Sequence, residues 1–284
     1  MDLFHRKTPV IDAHHHLWKY SVEEYGWIDD AMLPLRRDFG IGEFSATLEA
    51  AQVNGAIAVQ ARQTLEETRR LLHLAAAEPQ MLGVVGWVPL IDDGVEEVLN
   101  EFAGDAKLKG VRHVLQAEAT EYMRTPQFGR GLNVLERLGL RYDLLLHKGQ
   151  LRAATELVAR HPGLTFVLDH VAKPAIAAGD LEPWANDLRN LARHKNVFCK
   201  LSGMITEAEW SSWTNEDLRP YFDVALESFG PQRLMYGSDW PVCLVASSYG
   251  RWIETVKELT AALSAVEQAA VMGGTAIEVY GLSV

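Results

Sequence analysis

Histidines 14, 15 and 16 close a short apolar run, in the segment VIDAHHHLW at residues 10–18. In an extended strand alternate side chains share a face, so Asp12, His14 and His16 are expected on one face and His15 on the other. Two imidazoles side by side at a strand end are half of a metal site, because neutral imidazole nitrogens ligate Zn²⁺ and related ions. Other polar groups end later apolar runs: His147 in the fifth, Asp169 and His170 in the sixth, and Asp239 just past the eighth. Three histidines and a carboxylate suit one divalent ion, zinc first, with water in the remaining position. The set read this way is His14, His16, His147 and Asp239. Beside such an ion Asp239 is placed to take a proton from water, which is general-base chemistry; its plainer alternative is an Asx turn before Trp240-Pro241. A two-ion site needs a bridging carboxylate or a modified lysine. The fourth run offers Arg112 and His113 at that level, with Lys109 only near its start, so one ion is expected. His113 stays ambiguous, and His15 reads as a packed side chain. His5, His73, His161 and His194 lie in helical or terminal contexts and read as solvated or capping groups.

Eight apolar, β-branched runs could position these groups: 9–13, 55–61, 82–88, 108–115, 141–147, 164–170, 197–202 and 233–238. Amphipathic segments lie between them. Thr64 with Glu67 and Ser264 with Glu267 read as capping boxes, and Gly55 and Gly139 as C-cap glycines. Eight strands, each followed by a helix, in about 250 residues specify a parallel (β/α)8 TIM barrel of class α/β, one domain over residues 1–284, with its site at the C-terminal strand ends. An open doubly wound sheet is the alternative, but the first strand–helix junction lacks a GxGxxG phosphate loop. The segment 17–40, with Trp18, Tyr20, Tyr25 and Trp27, is long for a connecting loop and is expected to fold over the barrel mouth.

The chain has 284 residues, 48% of them hydrophobic, and a formal charge of −11. That length can bury a large core, and that charge argues against nucleic acid or anionic membrane as a partner. No segment has signal-peptide character or the roughly 18 apolar residues of a membrane span. Cys199 and Cys243 stand far apart, which indicates neither a disulfide framework nor a zinc knuckle. A soluble cytoplasmic protein with a small-molecule substrate is the expectation; nothing in the sequence sets an oligomeric state.

Taken in order, IDAHHHLW (11–18), LPLRRDF (33–39), GAIAVQA (55–61), LKGVRHVLQ (108–116), LDHVAKP (168–174), KLSGM (200–204) and LMYGSDWPV (234–242) resemble the amidohydrolase superfamily. Within it they resemble the lactonase group that includes L-fuconolactonase and L-rhamnonolactonase. The resemblance covers nearly the whole chain. It matches His14 and His16 to the strand-1 ligand pair, His147 to the strand-5 ligand, His170 to a strand-6 histidine that orients water or the scissile carbonyl, and Asp239 to the strand-8 aspartate. A third histidine inside the HxH motif, His15, departs from the pattern.

The resemblance implies metal-dependent hydrolysis of a sugar-acid lactone, an aldono-1,4-lactone being the expected substrate. Relatives that work through histidine hydrogen bonds keep a metal-free route open. A polyhydroxylated ring needs a flat apolar face, from among Trp18, Trp27, Trp87 and Trp240, and polar partners, for which Gln60, Arg62, Arg112 and Lys173 are the candidates. Decarboxylases of the same superfamily share the ligand pattern and form the alternative reading, with an unsaturated carboxylic acid as substrate. A non-catalytic metal-binding barrel is the third.

Overall fold

The computed structural model describes residues 8–102 and 104–284. Its strands are β1 (Ile11–His15), β2 (Gly55–Val59), β3 (Met81–Gly86), β4 (Leu108–His113), β5 (Arg141–Leu144), β6 (Phe166–Leu168), β7 (Val197–Leu201) and β8 (Leu234–Tyr236). They pair in parallel and in chain order, β1 to β8. The ring is drawn together beyond β8, where His15 bridges Trp240, Asp239 donates its N–H to the His14 carbonyl at 2.8 Å, and His16 donates to Trp240 at 2.7 Å. The helices are α1 (Ile41–Ala50), α2 (Leu65–Ala77), α3 (Val95–Phe102), α4 (Pro126–Arg137), α5 (Leu151–Arg160), α6 (Trp184–Ala192), α7 (Asn215–Phe229), α8 (Tyr249–Leu259), α9 (Ala265–Ala269) and α10 (Thr275–Tyr280). This is a (β/α)8 barrel. No helix among the described residues is long and apolar enough to cross a membrane. His5 lies outside the described residues.

Strand alternation sorts the core into two parts. Ala56, Ala58, Phe166, Leu168, Leu234 and Tyr236 pack outward in the large cluster shared with the helices. Ile57, Val59, Val85, Val167 and Met235 face inward and meet Ala276, Val279 and Tyr280 of α10. Helix α10 thus plugs the N-terminal end of the barrel. Each such aliphatic side chain taken from water contributes roughly 1.5–3 kcal/mol, which is ample to seat a two-turn plug.

Strand β1 departs from simple alternation. Its pairing runs from Asp12 opposite Ala56 to His15 opposite Ala58, three steps against two. The extra residue is a bulge, which shifts the phase of every side chain beyond it. Ile11 and Ala13 both belong to the interior cluster, so Asp12 between them faces outward, and the expectation that it shares a face with His14 and His16 is corrected. The Asp12 carboxylate instead accepts from Tyr249 of α8 at 3.1 Å and from the Ser238 N–H at 2.8 Å. Burial pushes its pKa up to about 6, against those bonds.

Local signals are corrected in two places. Gly55 opens β2, where a Cβ would lie 2.5 Å from the Leu82 side chain; the left-handed residue after α1 is Gln52, with φ 57°. Gly139 does supply the left-handed turn after α4, with φ 68°. The Ser264–Glu267 capping box is complete. At Thr64 only half of one forms: Thr64 caps the Glu67 N–H, while the Glu67 carboxylate turns to the Ala61 N–H at 2.6 Å and to Arg62.

Candidate active site

The C-terminal strand ends and the loops beyond them enclose a cavity of about 400 Å³. Strand β1 and its bulge deliver His14 and His16, whose Nε2 atoms face each other at 3.2 Å. Past β8, Asp239 adopts φ 55° and brings Oδ1 to 3.7 Å from His14 Nε2 and 3.4 Å from His16 Nε2. Three donor atoms on a tetrahedral ion with bonds of about 2.0–2.2 Å lie about 3.3–3.6 Å apart, so this triangle has the dimensions of one zinc face. His16 Nδ1 is 2.8 Å from the Val59 carbonyl. That bond fixes the proton on Nδ1 and leaves the Nε2 lone pair facing Asp239 and His14. Among the described residues, His14, His170 and Asp239 also each place a ligand atom within 4.8 Å of the other two.

His170 is aimed by an uncommon stretch of backbone. His170, Val171, Ala172 and Lys173 have φ of 54°, 46°, 60° and 50°, a whole left-handed turn of non-glycine residues. Each costs roughly 1–2 kcal/mol relative to a right-handed turn, and tertiary contacts hold the turn in place. Lys173 N–H donates to the His170 carbonyl at 2.8 Å, Trp184 Nε1 donates to the Val171 carbonyl at 2.7 Å, and Val171 and Ala172 are fully buried. The turn directs His170 and Lys173 into the same cavity. His170 Nδ1 lies 2.9 Å from Ser202 Oγ. Gly203 passes so close that a Cβ there would sit 2.7 Å from the imidazole.

Beneath the histidines the barrel interior is ionic. Lys200 Nζ lies 2.5 Å from Asp143 Oδ2, 3.0 Å from Asp169 Oδ1 and 3.2 Å from His14 Nδ1. Arg112 reaches Asp169 Oδ2 at 3.1 Å, His14 Nε2 at 3.3 Å and the Gln60 carbonyl. Tyr280 of α10 donates to Asp143 from below at 2.9 Å. Two cations and two carboxylates balance, and all four are buried. Sequence reasoning passed over Asp143 and Lys200. Their signal was a charge in the interior of a strand run, where Asp143 and Lys200 stand in RYDLLLH and VFCKLS.

Burial sets the protonation of the upper layer. It lowers the pKa of His14 well below the ordinary histidine value, with Lys200 and His170 adding and Asp169 opposing. It lowers His170 to about 4 against the pull of Asp239 and Asp169. Both rings are therefore neutral near pH 7, the state a metal requires. Burial raises Asp239, but the imidazoles of His170, His16 and His14 packed around it outweigh that rise, and the carboxyl stays well below its usual range. Asp169 is likewise pushed up by burial and held well below its usual range by Lys200, His14 and Arg112.

The structure does not bring every expected residue here. His147 lies outside the cluster: β5 ends at Leu144, the chain turns outward, and an exposed His147 caps the turn 148–150. Of the expected substrate contacts, Arg112 and Lys173 line the cavity. Trp18 is buried, with its Nε1 bonded to the Arg37 carbonyl at 3.0 Å, and Trp240 is packed between Phe39 and Phe44. Gln60 is buried and bonded to the Arg112 carbonyl. Arg62 is held by Glu67 and Glu24, and Trp87 bonds to His113 at 3.3 Å. Trp27, 46% exposed, is the tryptophan that reaches the cavity. It arrives with Met32 on the segment 17–40, which is anchored by paired hydrogen bonds between Trp18 and Phe39. Gln116, Thr206 and Glu207 complete the polar wall; they lie on loops that carry no periodic signal. His15 stacks on Phe44 at 3.8 Å, facing away from the site. His113 pairs with Glu118 at 3.0 Å and stacks on Tyr122.

A closed parallel barrel with imidazoles and a carboxylate at its C-terminal mouth defines a class of hydrolase scaffold, and the sequence places the chain within it. Residues 11–282 match the amidohydrolase family model, and the chain belongs to that family. It is similar to an L-fucono-1,5-lactonase of Burkholderia multivorans, 41% identical with 96% of each chain covered. It is also similar to one of Burkholderia ambifaria, 34% identical over 95% of this chain and 94% of that one. A crystal structure of an amidohydrolase from Burkholderia multivorans with bound zinc superposes with a TM-score of 0.94, at 40% identity, over 97% of this chain and all of the other.

Proposed function

We propose that this chain hydrolyses an uncharged sugar-acid lactone, with one divalent ion, zinc first, held by His14, His16 and Asp239. The observation that carries the choice of substrate is the charge of the cavity wall. Both of its cations face carboxylates: Arg112 pairs with Asp169 at 3.1 Å and Lys173 lies 3.9 Å from Glu207. A substrate defined by its own carboxylate, as in the decarboxylase reading, would find no unpaired cation among these wall residues. A ring rich in hydroxyls finds acceptors and donors in Glu207, Gln116 and Thr206, and a flat apolar face in Trp27. The names of the relatives from Burkholderia favour a six-membered 1,5-lactone over the five-membered ring expected from the sequence.

In this reading the Asp239 carboxylate, anionic at neutral pH, takes a proton from the water that attacks the lactone carbonyl. His170, with Ser202 donating to Nδ1, presents Nε2–H to the carbonyl oxygen as negative charge develops there. The bond from the water oxygen to the carbonyl carbon forms, the ring C–O bond breaks, and Asp239 returns the proton to the departing ring oxygen. The product is the open hydroxy acid. A divalent ion bound at the triangle supplies Lewis acidity and favours water deprotonation. The Nε2 atoms of His14 and His16, 3.2 Å apart and both facing Asp239 Oδ1, support its placement there. A pH-indicator assay across aldono-1,4- and 1,5-lactones, run beside metal analysis, tests the reading: turnover of neutral lactones is expected. Carbon dioxide release from unsaturated acids with no lactone turnover would overturn it.

A further inference from the structure

Glu207 takes no part in the chemistry just described, yet it reaches the cavity from the turn after β7. Its carboxylate is about a quarter exposed, 3.9 Å from Lys173. Burial raises its pKa, the Lys173 charge opposes that rise, Asp239 adds to it, and Lys148 opposes it least. Lys173 stands on the same left-handed turn as His170, three residues after it, which places both at the wall of one cavity. Both charges line the cavity that also holds His170, within reach of the rest of a sugar acid whose carbonyl is at His170.

We infer that Glu207 is the specificity-determining residue that keeps this site for uncharged rings: it cancels Lys173, so that a second carboxylate on the substrate meets no free cation and faces a like charge. The inference rests on the lactonase reading for the identity of the substrate, but its charge logic can be measured without turnover. Gluconate and D-glucarate are suitable probes, since they differ by one terminal carboxylate. Calorimetric titration of both into the same metal-loaded sample gives a ratio that is insensitive to partial misfolding. Glu207→Gln keeps the hydrogen-bonding shape and removes the charge. Affinity for glucarate relative to gluconate should rise about tenfold, the scale of one partly exposed charge pair. Adding Lys173→Gln should abolish the gain. An unchanged ratio in Glu207→Gln, or a gain that survives the loss of Lys173, would overturn the inference. A gain as expected in a protein that hydrolyses no neutral lactone would leave the charge role standing and remove the lactonase reading instead.

Discussion

Replacing Lys200 by methionine isolates the ionic layer beneath the site. Methionine fills much the same volume, so packing changes little and charge changes by one. In the native barrel Arg112 and Lys200 balance Asp143 and Asp169. Without Lys200, Asp169 keeps Arg112 at 3.1 Å, whereas Asp143 keeps only the Tyr280 hydroxyl. Breaking a buried pair by removing one partner costs about 3–5 kcal/mol, and that is the expected loss at pH 7. The pH dependence is the sharper test. Burial, with Asp169 adding and Lys200 opposing, already lifts the Asp143 pKa to about 6; losing Lys200 lifts it further. A carboxyl whose folded pKa exceeds its unfolded value holds a proton that the unfolded chain has released, so stability is lost as pH rises toward the folded pKa. Below pH 6 both proteins carry a protonated Asp143 and their difference is flat. Above it the wild type has ionised and the variant has not, so the gap should widen by about 1.4 kcal/mol per pH unit. Urea unfolding at pH 5.5, 7 and 8.5, followed by tryptophan fluorescence, reads this directly. Asp143→Asn added to the variant should restore most of the loss and flatten the profile. A pH-independent gap, or a double variant no better than the single one, would refute the account of Lys200 as the counter-ion of Asp143.

Asp239→Asn should lower kcat by about 10² or more while the fold survives; a variant that keeps both its metal and its turnover would reduce Asp239 to a turn former. His14→Ala should lose bound metal, whereas His15→Phe, which preserves the stack on Phe44, should retain it, as elemental analysis will read. Burial holds the His15 pKa well below 6.5, so below pH 6.5 the unfolded chain binds a proton that the native ring does not, and stability falls as pH falls; His15→Phe should weaken that acid limb in denaturation curves. Gly203→Ala should displace the His170 ring, lowering kcat far more than Tm, and equal losses in both would point to a general packing defect.

Much of this architecture can be read from the chain, because barrel strands are short apolar runs and their sequential order needs no long-range information. The histidine pair and Asp239 are legible for the same reason: each stands where an apolar run stops. His147 misleads because that rule uses the end of the apolar run, and LLH continues past the point where β5 loses its ladder at Leu144. The bulge in β1 is silent in sequence, since Ala13 fits either face. The result at His14 and His16 is nevertheless as expected, because the phase shift falls before both of them. The left-handed turn at 170–173 is equally hidden: Val, Ala and Lys carry no left-handed preference, and the packing of Trp184 and the buried Val171 and Ala172 imposes it.

The plug formed by α10 has a consequence for how the chain is made. Tyr280 is bonded to Asp143, and through it the last helix touches the charges under His14. A nascent chain has all eight strands once residue 236 is synthesised, yet the floor of its barrel is still missing. Until residue 280 follows, water has access to Asp143 and Lys200 from below, and the pair is solvated instead of fixed. The geometry of the site therefore depends on α10 as well as on the eight strands, and a released chain cut between β8 and α10 would carry a barrel that is paired in its strands but unfinished at its site.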